Sequence, residues 1–406
     1  MSRHSTLTWS PYLAFATFGA FWGAWGAAVP RVREQAAVTD TELGIALLFV
    51  GVGALPAMLL AGRALDRWGL WLSGPLLLAL GVAGMLVTLS AGRGLLALSI
   101  GLLVVGATSG AADVAINSLA GRAEQATGRP VITPAHATFS AVVVLATLST
   151  GMLSALGAPL VLPFGLVAVA ATATCVTMVR ALRAHPSRRP RCDAAEPASE
   201  PTPNRGLSLA LLAGIGALGA LAFASENAHQ SWSAVFLEDE FAASPSLSAL
   251  GPAVFAGVVA MTRFAVTRLD TRHARTLIIA GAATATTGAS LLALAPTLPL
   301  ALAALALVAA GTAVLFPTLL GVVSRAVPEE RRARATSTVT VIAYAGFLTG
   351  PAYVGQTADA LGLRGAMLAV AALTTLLAVL TPAILRAPRN PRQPPATPSS
   401  VGAAGN

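Results

Sequence analysis

The chain is a series of apolar runs of similar length, separated by short polar loops. The first six runs cover about 11–30, 42–61, 70–91, 95–117, 134–156 and 160–182. Six more cover about 207–230, 247–266, 276–295, 299–321, 336–357 and 365–386. Each run is close to the roughly 20 residues with which a helix crosses about 30 Å of hydrocarbon. The pattern predicts an all-α integral membrane protein with 12 transmembrane helices in two six-helix pseudo-symmetric bundles.

A polar stretch between the sixth and seventh runs separates the two series. It is rich in Pro, Ala, Glu and Arg and cannot supply a buried core, so it is expected to stay solvated. The end of the chain has a similar composition. We therefore expect four parts, namely an N-terminal bundle over 1–182, a cytoplasmic linker over 183–206, a C-terminal bundle over 207–387 and a disordered cytoplasmic tail over 388–406.

The composition supports a membrane protein. Of the 406 residues, 55% are hydrophobic and 11% are charged, and the mean hydropathy is +0.73. Soluble domains carry about 25% charged residues. The net charge of +9 comes entirely from arginine, scattered through short loops without a basic module that contains aromatic residues. We therefore expect the lipid bilayer as a partner and no nucleic acid.

The distribution of arginine predicts the topology. If both termini are cytoplasmic, the outer loops hold Arg31, Arg33, Arg93 and Arg364, and the other 22 arginines lie inside. This asymmetry is what the positive-inside rule demands of a multi-pass protein. The sequence therefore predicts a protein of the plasma (inner) membrane with both termini cytoplasmic, and we expect a monomer.

Several kinds of site are missing from the sequence. The two cysteines, Cys175 and Cys192, have neither disulfide-framework nor metal-site spacing. The sequence has no phosphate-binding loop of the Gly-x-x-x-x-Gly-Lys type and no lysine to build one. No nucleophile stands beside a base in a recognisable arrangement. We therefore expect no enzyme activity, no catalytic residue, no cofactor and no metal.

The loop between the second and third runs carries the pattern Gly62-x-x-x-Asp66-Arg67-x-Gly69. Glycines at both ends allow a sharp turn, and the charges can pair or cap helix ends. The pattern resembles the signature loop of the major facilitator superfamily of secondary transporters. That resemblance implies alternating access between two halves, with helices one, four, seven and ten lining a central cavity. It also implies a conformational role for Gly62, Asp66, Arg67 and Gly69.

The fourth run contains an acid within a membrane span. A polar stripe at spacings of three or four consists of Gly106, Ser109, Gly110, Asp113 and Asn117. An acid in a span is costly unless it faces water or a partner, so Asp113 should face the cavity or a neighbouring helix. A carboxyl group that binds a proton on one side and releases it on the other can couple transport to a proton gradient. Asp113 is thus the first candidate for proton coupling.

The fifth run offers a matching stripe with His136 and Ser140. Asp113, Asn117 and His136 should lie toward the cytoplasmic ends of adjacent helices, where they could share hydrogen bonds. Asn117, His136 and Ser140 are therefore candidates for substrate binding. The alternative is that Asp113 only anchors Asn117 and His136 in a packing network.

The seventh run supplies a second polar group, predicted to lie toward the periplasmic end of its helix. Glu226 is the second candidate for proton coupling, and Asn227 and Gln230 are candidates for substrate binding. Trp232 is interpreted as an interfacial anchor, with stacking on a solute as the alternative. In the first run, Trp22 is a candidate to line the cavity and bind substrate, with aromatic packing as the alternative.

A closer resemblance comes from three strings. These are Asp113-Val-Ala-x-Asn117, Ala135-His136-Ala137-x-Phe139-Ser140, and FPTLLGVVSRAVPEE followed by GFLTGPAYVG in the second half. They look like the fucose-permease-like branch of the superfamily, which implies a proton-coupling role for Asp113. The first run has no carboxylate, unlike the sugar symporter of that branch, and this argues against sugar transport.

The expected function follows from these features. No arginine lies near the middle of a run, so a strongly anionic solute would lack a buried counter-charge. The sequence predicts a secondary active transporter that moves a small neutral polar solute with protons, by symport and alternating access. Two alternatives stay open: proton-driven efflux of hydrophobic compounds, and a membrane sensor or scaffold that does not transport.

Overall fold

The computed structural model describes residues 3–183, 207–266 and 273–385. Regular structure in these ranges is helical. In the first half the helices are Arg3–Ala36, Asp40–Trp68, Ser73–Ser90, Leu95–Thr127, Ile132–Ala155 and Val161–Arg183, here called spans 1 to 6. Nearly all of the linker predicted over 183–206, and the tail predicted over 388–406, lie outside the described residues.

The second half begins with span 7, Leu209–Phe241, and span 8, which consists of Pro245–Ser248 and Leu250–Val266. Span 9 is Ala274–Leu294, and span 10 consists of Leu298–Ala313 and Leu315–Ala326. A last long helix runs from Glu329 to Ile384.

The last long helix contains two spans. Its apolar part, Arg334–Ile384, has 51 residues. A helix of this length rises more than twice the thickness of a hydrocarbon core. Gly362, with φ 71° and ψ 168°, interrupts it. Spans 11 and 12 lie before and after Gly362, so the 11 helices of membrane-spanning character in the described part provide 12 crossings. The predicted all-helical fold is confirmed.

Helix boundaries differ from the apolar runs where polar residues enter a span. Span 7 continues to Phe241, eleven residues beyond the apolar run that ends at 230. Glu226 and Asn227 therefore lie near the middle of a 33-residue helix, and the prediction that they lie toward its periplasmic end is wrong. The helix continues because these side chains find partners inside the protein, where a polar group does not have to meet lipid.

Small residues bring helices together in each half. In the first half, Gly19 and Gly23 of span 1 lie against the backbone of span 5 at Phe139 and Val143. In the second half, Gly346 and Gly350 of span 11 lie against the backbone of span 7. A methyl group at any of these four glycines would clash with a backbone carbonyl. Such close crossings stabilise helix pairs in a membrane, where no hydrophobic effect drives association.

The two halves meet at one side of the molecule. The linker side is the side where span 6 ends at Arg183 and span 7 begins at Leu209; the other is the far side. At the far side, Arg33 of span 1 pairs with Asp239 of span 7 at 2.6 Å. Thr41 of span 2 donates a hydrogen bond to the carbonyl of Gly355 in span 11 at 3.3 Å. The far side is therefore closed by contacts between the halves.

The signature loop is more helical than predicted. Span 2 continues through Gly62, Asp66 and Arg67 to Trp68, so the turn expected from Gly62 onward is confined to Gly69. Gly69 has φ 95° and ψ 173°, and its N–H donates to the carbonyl of Leu65. This backbone conformation is almost exclusive to glycine. The loop is a short turn at the linker-side end of span 2.

The two glycines of this loop should respond differently to alanine. Gly69→Ala is expected to lower the free energy of unfolding by about 1–3 kcal/mol, because its φ is unfavourable for a side chain. Gly62→Ala is the matched control, because a Cβ there would have no neighbour within 4 Å. Within a helix, alanine should be neutral or stabilising by up to about 1 kcal/mol. Thermal unfolding in detergent measures both, and an equal loss in both variants would contradict this account.

Candidate functional site

The first half presents a chain of three hydrogen-bonded groups. The Asn117 amide nitrogen donates to the Asp113 carbonyl at 2.9 Å and to Asp113 Oδ1 at 3.1 Å. His136 Nε2 of span 5 lies 3.2 Å from Asn117 Oδ1. Because an amide oxygen only accepts, Nε2 carries the hydrogen in this arrangement. The hydrogen bonds expected among these residues are present, and their roles stay predictions.

Asp113 and His136 differ in exposure. Asp113 is half-buried near the middle of span 4, whereas His136 is exposed near the linker-side start of span 5. The His136 ring contacts Phe15 of span 1 edge to face, with ring centroids 4.7 Å apart. The chain therefore extends from a carboxyl group at mid-depth to an imidazole closer to the linker side, and the expectation that Asp113 lies toward the end of its helix is wrong.

The second half presents an ion pair that the sequence did not reveal. Arg263 Nη2 of span 8 lies 2.8 Å from Glu226 Oε1 of span 7. The Arg263 side chain is 44% exposed and that of Glu226 is 15% exposed. The inference that the site would lack a positive counter-charge is therefore wrong, although Arg263 itself lies in the last turn of its span, as expected. Arg263 lies near the end of span 8, but its long side chain reaches the middle of span 7.

Span 10 helps to hold Arg263 in place. Pro317 has no N–H, so it cannot bond to the carbonyl four residues earlier, at Ala313. Span 10 breaks at this point, between the helices Leu298–Ala313 and Leu315–Ala326. Arg263 Nε donates to the freed Ala313 carbonyl at 3.3 Å. A proline in an apolar run was thus a sequence signal that a polar group would be needed nearby.

Asn227 has a similar partner in span 11. Pro351 frees the carbonyl of Phe347, four residues earlier. Asn227 Nδ2 donates to this carbonyl at 2.6 Å, and Ser231 donates to Asn227 Oδ1 at 3.2 Å. The amide that sequence reasoning predicted to bind substrate therefore joins spans 7 and 11.

Trp232 lies inside the protein. Its side chain is fully buried, and Nε1 donates to the carbonyl of Pro351 at 3.1 Å. The interpretation of Trp232 as an interfacial anchor is wrong. Sequence reasoning located it by the end of the apolar run, whereas the helix continues beyond that point.

Four aromatic side chains pack together one helical turn from Glu226. Phe223 lies one turn before Glu226 in span 7. Its ring centroid is 4.1 Å from that of Phe316, 5.7 Å from that of Tyr344 and 6.0 Å from that of Phe347. These four rings, from spans 7, 10 and 11, are called the aromatic cluster below. It gives the second half an apolar surface beside a charged one.

The groups of the two halves lie close enough to interact. Arg263 lies within electrostatic range of His136. Asp113 lies within electrostatic range of Tyr344, a member of the aromatic cluster. The polar groups of spans 4 and 5 therefore lie near those of spans 7 and 8, and the region between these groups of the two halves is called the central space below.

Three further residues predicted to bind substrate are Trp22, Ser140 and Gln230. Trp22 is half-buried and contacts Phe21 edge to face, with ring centroids 5.5 Å apart. Ser140 is half-buried one turn after His136, and Gln230 is exposed one turn after Glu226. Their roles in binding stay predictions.

Comparison with known proteins identifies the family. The sequence model described as Major Facilitator Superfamily matches residues 215–404. An uncharacterized MFS-type transporter of Yersinia pestis is 29% identical over 385 residues, which cover 93% of this chain and 95% of the relative. These matches support a secondary transporter of the major facilitator superfamily. The chain is a multi-pass membrane transporter and not an enzyme.

Two further comparisons agree with this assignment. The uncharacterized transporter y4wD of Sinorhizobium fredii is 28% identical over 386 residues, covering 91% of this chain and 96% of the relative. A crystal structure of the nucleoside transporter NupG has a TM-score of 0.68 at 15% identity, covering 95% of this MFS chain and 100% of that chain. The structural likeness concerns the fold. None of these proteins is described as a member of the fucose-permease-like branch, so that assignment stays a prediction.

Proposed function

We propose that this MFS transporter moves a small neutral polar solute together with protons, by symport and alternating access. One observation carries the proposal. Within the described part of the chain, Asp113 is hydrogen-bonded to an amide but forms no ion pair, whereas Glu226 is paired with Arg263. The central space therefore holds one carboxyl group that can change its charge without breaking an ion pair.

The charges favour Asp113 over Glu226 as the proton carrier. Protonation of Glu226 would leave Arg263 as an uncompensated charge, which is strongly unfavourable in a partly buried site. Protonation of Asp113 removes an uncompensated charge instead. Asn117 donates to Asp113 Oδ1, so Oδ2 is left to bind the proton. Glu226 then serves transport as the fixed partner of Arg263, and Asp113 as the coupling group.

The same charges favour a neutral solute. With Asp113 protonated and Glu226 paired with Arg263, the charges of these three residues sum to zero. A neutral solute keeps that sum as the halves rock, and this avoids moving a net charge through a low-dielectric environment. On the first half, Asn117, His136, Ser140 and Trp22 would contact the solute; on the second half, Gln230 would do so, while Asn227 holds span 7 to span 11.

We assign the linker side to the cytoplasm, with both termini there, and the membrane to the plasma (inner) membrane. The distribution of arginine supports this orientation. The far side is then periplasmic, and its closure makes this an inward-facing state of a monomer. Under this assignment, the linker that joins the two bundles and the tail that follows the second bundle both belong to the cytoplasmic side.

The aromatic cluster favours a second candidate function, proton-driven efflux of hydrophobic compounds. Phe223 and Phe347 are half-buried members of this cluster, and Phe223 lies one turn before Glu226 of the ion pair. This candidate expects apolar dyes, and no neutral polar solute, to move in response to a proton gradient.

Flux in reconstituted vesicles tests the proposal. Vesicles with a trapped pH indicator receive an inward gradient of D-galactose, myo-inositol or uridine, all neutral polar probes. We expect the entry of at least one probe to acidify the vesicle interior. Under an inward proton gradient, the same probe should accumulate inside, and a protonophore should abolish that accumulation. Solute entry that is independent of pH would exclude coupling, and movement of apolar dyes alone would favour efflux. Vesicles without protein are the control.

A further inference from the structure

We propose that Arg263 is the solute-binding residue of the second half, and that it selects neutral polyhydroxylated solutes over organic anions. The inference rests on the proposed transport of a solute through the central space, but not on proton coupling. It assigns a role to a residue that neither the apolar pattern nor the family resemblance singles out.

The hydrogen bonds of Arg263 leave part of its donor edge available. Nε donates to the Ala313 carbonyl and Nη2 to Glu226 Oε1. In the part of the chain that the structure describes, Nη1 has no hydrogen-bond partner. The guanidinium side of the pair is also the more exposed one, at 44% against 15% for Glu226. Arg263 thus presents free N–H groups to the central space while Glu226 and Ala313 fix the plane of the guanidinium.

Held in this way, Arg263 favours neutral oxygen acceptors. An organic anion would have to compete with Glu226 for the guanidinium and would leave one carboxylate without a partner. A hydroxyl or carbonyl oxygen can accept from the free N–H groups without disturbing the pair. Since the guanidinium is planar and its donors lie side by side, it suits two adjacent oxygens, such as those of a vicinal diol.

The surroundings of Arg263 support a ring-shaped solute. The aromatic cluster lies beside the ion pair, and Phe223 precedes Glu226 by one turn. An aromatic surface packs well against the apolar face of a ring that carries hydroxyl groups at its edge. His136 of the first half lies within electrostatic range of Arg263 and offers a polar group opposite. The site therefore suits a neutral, cyclic, polyhydroxylated solute, and because the first run has no carboxylate, a cyclic polyol or a nucleoside is favoured over a sugar.

Arg364 provides a matched control in the same half. Arg364 Nε lies 2.6 Å from Glu240 Oε2, and its Nη1 donates to the carbonyls of Ala293 and Ala295 at 2.9 Å. Its side chain is 37% exposed, close to the value for Arg263. It has the same kinds of partner, but lies at the far side, two residues after the interruption at Gly362. A purely structural effect of losing an arginine should appear in both.

Binding to the purified full-length chain tests the inference. The thermal midpoint is titrated with D-galactose, myo-inositol and uridine, and with D-galacturonate, which adds a carboxylate to the ring of D-galactose. We expect at least one neutral probe to raise the midpoint saturably and D-galacturonate to have no effect. Arg263→Gln is expected to raise the Kd for that probe about tenfold or more, as the loss of a charged hydrogen bond implies. Arg364→Gln should leave the Kd unchanged.

A second variant covers the case in which Arg263→Gln does not fold. Arg263→Lys keeps a positive charge opposite Glu226 but lacks the planar donor pair, so its Kd should rise severalfold. Stabilisation by D-galacturonate alone, by none of the neutral probes, or to the same Kd in the Arg263 variants as in wild type would overturn the inference. The assay needs no proton gradient. Intact binding without coupled flux would therefore contradict the proposed coupling and leave this inference standing.

Discussion

Asp113→Asn is expected to abolish accumulation of solute against its gradient while leaving exchange of solute across the membrane intact. Asparagine is close in shape to a protonated aspartate and can still accept the hydrogen bond that Asn117 donates at 3.1 Å. It cannot bind or release a proton, so the carrier can cycle only as if permanently protonated. With one proton per solute, a gradient of one pH unit supports about tenfold accumulation in wild type. The variant should show none.

Glu124→Gln is a matched control for this experiment. Glu124 is an acid on the same span, where its carboxylate accepts from the N–H groups of Val131 and Ile132 at 2.8 and 3.1 Å. Both N–H groups donate to the same oxygen, so the carbonyl oxygen of glutamine can keep both bonds. The site lies at the loop rather than in the central space. Accumulation and counterflow are measured in the same vesicles. Undiminished uphill uptake in Asp113→Asn would exclude Asp113 as the coupling group.

The packing alternative predicts a different outcome. If Asp113 only anchors Asn117 and His136, then Asp113→Asn should keep both the hydrogen bonds and the accumulation. Asp113→Ala would then lower the thermal midpoint without any specific effect on coupling. Comparing the two variants therefore separates a chemical role of the carboxyl group from a structural one.

The features that sequence could predict are those set by local geometry. A span must be apolar and about 20 residues long, so the runs locate the helices. Asp113 and Asn117 are four residues apart and share a helix face by the period of the helix alone. His136 could be added because the loop between spans 4 and 5 is short and makes them neighbours. The chain of hydrogen bonds in the first half was therefore within reach of the sequence.

The features that could not be predicted from the sequence depend on contacts between residues that are far apart in the chain. Glu226 and Arg263 are 37 residues apart and lie on two spans whose relative rotation no local pattern fixes. Arg263 is near the end of its span, but its side chain is long enough to contact Glu226 near the middle of span 7. Trp232 was misplaced for a related reason. Polar neighbours ended the apolar run, although buried partners allowed the helix to continue.

Two prolines connect these missed features. Pro317 and Pro351 each deprive a carbonyl four residues earlier of its helical donor. The freed oxygens at Ala313 and Phe347 accept from Arg263 and Asn227. In lipid a free carbonyl is costly, so a proline within a span predicts a polar side chain from a neighbouring helix. Sequence alone does not say which helix provides it, because that depends on how the spans are arranged.

The ion pairs of Arg33 at the far side should control which side of the transporter is open. Arg33 of span 1 contacts both carboxylate oxygens of Asp239 in span 7, at 2.6 and 2.7 Å, and Asp40 Oδ1 at 2.8 Å. Asp40 belongs to the first half and Asp239 to the second. A guanidinium that binds one carboxylate with two parallel hydrogen bonds forms a strong and directional contact. Arg33 therefore joins the halves and also neutralises two acids that would otherwise repel each other.

Arg33→Gln is expected to open the far side. The loss of charged hydrogen bonds worth about 1.5–3 kcal/mol should raise the population of the open state about tenfold or more, and repulsion between Asp40 and Asp239 acts in the same direction. Spin labels at the exposed residues Leu156 and Leu361, at the far-side ends of spans 5 and 11, would report the longer distances. Arg364→Gln breaks a pair within the second half and should leave the distances unchanged, whereas adding Asp239→Asn to Arg33→Gln should partly restore closure. An unchanged distance distribution in Arg33→Gln would show that packing alone keeps the far side closed.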